Sequence, residues 1–124
     1  MASGAAPLQD RRILVVEDDY LVAVALCDLL EAAGASVVGP IGWAHEALSF
    51  VETDSVPLDA AILDFDLHGE KSYSIADALA SRRVHFVFAT GYEVAALDRR
   101  YRNHPRCQKP FDQQTLLNAL SSSR

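Results

Sequence analysis

A chain of 124 residues, half of them hydrophobic, has room for one folded domain with a sizeable core and none for a second. A net charge of −6 argues against the phosphate-seeking electrostatics of a direct nucleic-acid binder, and no stretch approaches the roughly 20 apolar residues of a membrane span. The opening MASGAAPLQD has no basic, apolar leader, and Cys27 and Cys107 lack a C-x-x-C spacing, so a reduced, cytoplasmic setting with no membrane insertion is expected.

In chain order, residues 1–10 are expected to be disordered, 11–121 to form the domain and 122–124 to fray. Ile13 to Val16 reads as a buried strand running into Glu17-Asp18-Asp19. Asp19 can cap a helix whose stripe is Leu21, Val22, Ala25, Leu26, Leu29 and Leu30, ending at Gly34. Ser36 to Val38 gives a short second strand closed by Gly39-Pro40, and Trp43, Ala47, Leu48 and Val51 line a second helix, with Trp43 as a packing residue. Pro57 breaks the chain before a strand over Leu58 to Leu63, which ends on Asp64. Gly69 then turns it toward a helix over Tyr73 to Ala80 with Ile75, Ala76 and Leu79 inward. Val84 to Ala89 is the most strand-like run and ends on Thr90. A helix with Val94, Leu97 and Tyr101 on one side, a short strand near Arg106 to Gln108 ending before Lys109, and a last helix over Phe111 to Leu120 complete the pattern.

Strands alternating with helices predict an α/β fold: a doubly wound, five-stranded parallel sheet of order 2-1-3-4-5 with five helices, of flavodoxin-like form. In that order the first and third strands are neighbours where the winding reverses, and ligands of such sheets collect outside the carboxyl ends of the strands. Glu17, Asp18 and Asp64 are therefore expected to meet there. Unit charges about 5 Å apart repel by about 3 kcal/mol at an effective dielectric near 20, so three carboxylates in one crevice call for a cation. A hard divalent ion such as Mg²⁺ suits oxygen ligands. With the metal held by the adjacent Glu17 and Asp18, Asp64 is the candidate nucleophile toward phosphorus, and Thr90 and Lys109 can neutralise the remaining phosphoryl oxygens. The histidines His45, His68, His85 and His104 have no metal-ligand spacing. The arginines Arg99, Arg100, Arg102 and Arg106 read as a solvated face that could dock an acidic partner.

From Arg12 to Leu120 the chain resembles a receiver domain of a two-component response regulator. The matching residues are Glu17-Asp18 after Leu14-Val15-Val16, Asp64 after Ile62-Leu63, Thr90 after Phe88-Ala89, and Lys109 before Pro110-Phe111. The resemblance implies a phosphorelay phosphoprotein in which Asp64 takes a phosphoryl group from a histidine kinase or histidine phosphotransfer protein. It further implies Mg²⁺ held by Glu17, Asp18, Asp64 and the backbone carbonyl of Asp66. Such a protein is not an enzyme beyond catalysing its own phosphorylation and dephosphorylation. The stretch Phe86 to Tyr92 resembles the FATGUY-type stand-alone receivers, and a receiver of this length is expected to signal by protein contacts or by onward transfer to an unidentified downstream protein.

Two positions depart from the family pattern. Arg106 stands where an aromatic usually swings with the threonine, leaving Tyr92 or Tyr101, with Thr90, as candidates for the switch. His68 replaces a common proline in the loop after the phosphoacceptor. An alternative from another class is a haloacid-dehalogenase-like, Mg²⁺-dependent phosphatase built on Asp64-Phe65-Asp66, with Asp66 as general acid. That family places its extra carboxylates after the lysine, whereas here the acidic pair comes first.

Overall fold

Parallel pairing at the centre of the molecule runs through three apolar segments whose side chains alternate between two buried faces. The computed structural model describes residues 6–53, 56–90, 101, 104, 106–108 and 112–121. The elements in order are β1 (Arg12–Val16), α1 (Tyr20–Ala32), β2 (Ser36–Ile41), α2 (Ala44–Thr53), β3 (Ala60–Asp64), β4 (Asp66–Leu67), β5 (Glu70–Lys71), α3 (Tyr73–Ser81), β6 (His85–Thr90), β7 (Arg106–Gln108) and α4 (Gln113–Ser121). The main sheet has the order β2-β1-β3-β6-β7, which is the expected doubly wound order.

Alternation along the strands builds the core. Ile13, Val15, Ala60, Ile62, Val87 and Ala89 pack toward Leu26, Leu30, Leu116 and Leu120 of α1 and α4. Leu14, Val16, Ala61, Leu63, Phe86 and Phe88 pack toward Ala47 and Val51 of α2 and Ile75, Ala76 and Leu79 of α3. Each fully buried Leu or Phe contributes about 1.5–3 kcal/mol of transfer free energy, and β3, buried on both faces along its length, carries Asp64 into the interior.

Several expectations are corrected. From Ala6 onward the N-terminal segment is a turn rather than a disordered tail: Leu8 is buried, its N–H donates to the Ala33 carbonyl at 2.8 Å, and the Asp10 N–H donates to that of Gly34. Gly34, at φ 98°, ends α1 as expected, and a Cβ there would sit 2.9 Å from Ala6 Cβ, so the close approach requires glycine. The inward stripe of α1 is Ala23, Leu26 and Leu30; Leu21 and Ala25 face solvent.

The second strand does not stop at Gly39-Pro40. A register irregularity between Leu14 and Val16 absorbs these residues and carries β2 on to Ile41. Gly39 is at φ 99° with the Val15 carbonyl 2.8 Å from where a Cβ would lie. The antiparallel hairpin β4-β5 interrupts the expected strict alternation. Of the five expected helices, four are present among the described residues; the other, with Val94 and Leu97, lies outside them, as do residues 1–5 and 122–124.

Candidate functional site

Glu17 follows directly on β1 and Asp64 ends β3, and the parallel register of those strands, Val16 beside Leu63, sets them side by side. Both are buried, at 3% and 6% exposure, while Asp18 is half-buried. One carboxylate oxygen from each of Glu17, Asp18 and Asp64 lies within 4.8 Å of the other two. The three residues expected to meet therefore do so.

Backbone groups fix this cluster. The Glu17 N–H donates to the Ile41 carbonyl at 3.0 Å, which is why the continuation of β2 matters here. Glu17 Oε2 accepts the Asp19 N–H at 3.0 Å, and Asp19 Oδ1 accepts the Val22 N–H at 3.1 Å, so Asp19 is the helix cap expected of it. Asp18 Oδ2 accepts the His68 N–H at 2.9 Å. Asp64 Oδ1 lies 3.4 Å from the Asp66 N–H. Burial pushes the Asp18 carboxyl up, yet the His68 N–H, then the neighbouring Asp64 and Glu17 carboxyl groups and the His68 ring, outweigh it and hold Asp18 below its ordinary value.

This donor set fits a hard divalent cation. All three groups are carboxylates, two are withdrawn from water, and their oxygens are close enough to share one ion. The carboxylate of Asp66 turns elsewhere: Oδ1 accepts the Gly69 N–H at 2.8 Å and Oδ2 pairs with Lys71 Nζ at 2.9 Å. Lys71 also lies 5.1 Å from the centre of the Phe65 ring. Behind the site, the Phe65 carbonyl accepts both the N–H and the hydroxyl of the buried Ser72.

Thr90 closes β6 one residue past Ala89, the register partner of Asp64, and Gln108, which precedes Lys109, is the register partner of Thr90. The Thr90 side chain, Lys109 and Tyr92 lie outside the described residues. Arg106 is half-buried, beside Phe88 in register, with Nη1 donating to the His104 carbonyl. Tyr101 stacks on Tyr73 at 5.9 Å, meets Phe88 edge-on at 5.5 Å and donates its hydroxyl to Asp77.

Sequence reasoning missed Trp43, Lys71 and Ser72. Trp43 is no packing residue of a helix interior. It precedes α2, is 49% exposed, and stacks on the His68 ring at 3.7 Å between centroids. The Trp43–His68 stack has no periodicity from which it could have been read.

No family model matches the chain. Among solved structures, SdrG from Sphingomonas melonis Fr1 is 43% identical with a TM-score of 0.79, over 90% of this chain and 94% of that one. The BeF3-activated conformation of SdrG from Pseudomonas melonis Fr1 is 41% identical with a TM-score of 0.75, over 95% and 96%. The receiver domain of the sensor histidine kinase PA1611 from Pseudomonas aeruginosa, whose structure has a magnesium ion in its active-site cleft, shares the fold at 22% identity, with a TM-score of 0.77 over 92% and 97%. A curated relative, the transcriptional regulatory protein PdtaR of Mycobacterium tuberculosis, is 30% identical over 83 residues, 67% of this chain; the match spans 38% of the relative, less than half its length.

Proposed function

The chain belongs to the response regulator receiver family, and from that premise we propose that Asp64 accepts a phosphoryl group from a histidine kinase or histidine phosphotransfer protein of a two-component pathway. The observation that carries the reading is the convergence of Glu17, Asp18 and Asp64 at adjacent strand ends. The magnesium in the cleft of the PA1611 receiver supports the same ion here, held by Glu17, Asp18, Asp64 and the backbone carbonyl of Asp66. When bound, Mg²⁺ neutralises charge on the phosphoryl oxygens and on the carboxylates.

An Asp64 carboxylate oxygen attacks phosphorus; the new O–P bond forms as the P–N bond of phosphohistidine breaks, and the electron pair leaves on the imidazole nitrogen. Lys109 and the Thr90 hydroxyl take up charge on the other phosphoryl oxygens. The protein acts in the cytoplasm, through contacts with a downstream protein or by onward transfer, and its chemistry is limited to its own phosphorylation and dephosphorylation. No helix among the described residues is long and apolar enough to cross a membrane.

The phosphatase alternative needs Asp66 as a general acid aimed at a leaving group. Its carboxylate is instead bound to Gly69 and Lys71 within the hairpin, which argues against that role. The test is incubation with Mg²⁺ and a small phosphodonor such as phosphoramidate. Wild type gains one phosphoryl group and Asp64→Asn gains none; equal labelling of the variant would sink the assignment.

A further inference from the structure

Three segments converge on one side of the acidic cluster. The loop after β1 carries Asp18; the connection between β2 and α2 brings Gly42, where a Cβ would lie 3.5 Å from both Asp18 Cα and the Glu17 carbonyl, and then Trp43; the turn between β4 and β5 brings His68. Trp43 is anchored from behind, since its carbonyl accepts the Ala47 N–H at 3.0 Å in the first turn of α2. Its ring lies on the His68 ring at 3.7 Å with an interplanar angle of 15°. The His68 N–H in turn donates to Asp18 Oδ2 at 2.9 Å, and His68 Nδ1 lies 3.9 Å from the same oxygen.

His68 adopts φ 50° and Gly69 φ 87°, so both central residues of the two-residue turn are left-handed. Such a turn favours Asn-Gly or Gly-Gly, and a side chain as large as histidine in the first position costs free energy relative to them. Strain of this kind next to a functional group persists when surrounding contacts hold it. Here the holding contacts include the Trp43 stack and the Asp18 carboxylate, beside the Gly69 N–H that donates to Asp66 Oδ1 within the hairpin. A half-buried carboxylate has freedom to rotate, and a ligand fixed in advance binds an ion more tightly than one that must be ordered on binding.

We propose that Trp43 and His68 form a clamp in which the stacked rings fix the His68 backbone, so that its N–H holds Asp18 poised for the divalent cation. Both are positioning residues, and the inference rests on the metal-site reading above. Trp43 is the chain's one tryptophan, so its emission also reports the site directly.

The test is Mg²⁺ titration of the full chain by calorimetry, with hydrogen exchange at the His68 amide as a second readout. Wild type binds Mg²⁺ with a change in Trp43 emission, and Trp43→Ala binds about tenfold more weakly. Trp43→Phe keeps a stackable ring and stays within about twofold of wild type. The His68 amide exchanges faster in Trp43→Ala than in Trp43→Phe, which a general loss of stability would not confine to that amide. A folded Trp43→Ala with wild-type affinity overturns the clamp. Should Trp43→Ala fail to fold, His68→Ala keeps the backbone N–H and removes the stack; the same weakening is expected, and unchanged affinity overturns the clamp. Wild type that binds no Mg²⁺, or binding that survives Asp18→Asn, contradicts the metal-site reading itself.

Discussion

Lys71 reaches back across the β4-β5 hairpin to Asp66, Nζ to Oδ2 at 2.9 Å, and so holds in the hairpin the one carboxylate that a phosphatase mechanism would need free. Asp66→Asn is therefore expected to retain phosphoryl uptake on Asp64 and to leave p-nitrophenyl phosphate untouched, as in wild type. Gel-shift analysis of phosphorylated protein and a colorimetric turnover assay check both. The pair is partly exposed, so Lys71→Ala lowers stability by less than about 1 kcal/mol.

Phe88 is fully buried and touches four rings edge-on, Phe65 at 6.3 Å, Phe86 at 5.6 Å, Tyr101 at 5.5 Å and His104 at 5.8 Å. Phe88→Ala leaves a cavity under the strand that presents Thr90 and is expected to cost about 3–5 kcal/mol. Urea denaturation measures it, and a loss below about 1 kcal/mol would contradict the packing described.

Asp19 caps α1 through the Val22 N–H and sits one residue from Asp18. Asp19→Ala is expected to lower stability by about 0.5–2 kcal/mol without removing the Mg²⁺ site, because Asp19 supplies none of the three clustered oxygens. Loss of Mg²⁺ binding in a folded Asp19→Ala protein would show that it does.

Burial holds the His104 imidazole below its ordinary value of 6.5, with His85 pushing the same way and the hydrogen bond to the Phe86 carbonyl pulling upward. Nε2 lies 2.6 Å from that carbonyl, so it carries the proton in the neutral ring. As pH falls, the unfolded chain takes up its proton first. The contribution of His104 to stability is thus complete above the unfolded value and is lost as pH falls through the folded one. Urea midpoints at about pH 7.5 and about pH 5.5 should drop less in His104→Gln than in wild type. Equal drops would remove His104 as a cause.

The parts of the fold legible in sequence are those with long periods. Ile13 to Val16, Ala60 to Leu63 and Phe86 to Ala89 are unbroken apolar runs ended by polar residues, which is what strands buried on both faces look like, and the carboxylates at their ends could be placed from strand order alone. The features that escaped are short or non-local. Two-residue strands such as Asp66–Leu67 carry no periodicity. Leu8 is buried because the end of α1 receives it, a contact made by tertiary packing and invisible in MASGAAPLQD. Gly39-Pro40 reads as a stop, but the sheet edge tolerates it as an irregularity. Trp43 reads as core because it precedes an apolar stripe, yet its ring found His68, 25 positions along the chain.

The site as a whole is tested most directly by mapping the phosphoryl group. Reductive trapping of the protein after reaction with Mg²⁺ and phosphoramidate, followed by peptide mass spectrometry, converts a phosphorylated aspartate to homoserine at its position. Conversion confined to Asp64, and abolished when Mg²⁺ is chelated, is the expected result; conversion at Glu17, Asp18 or Asp66, or none at all, would contradict it.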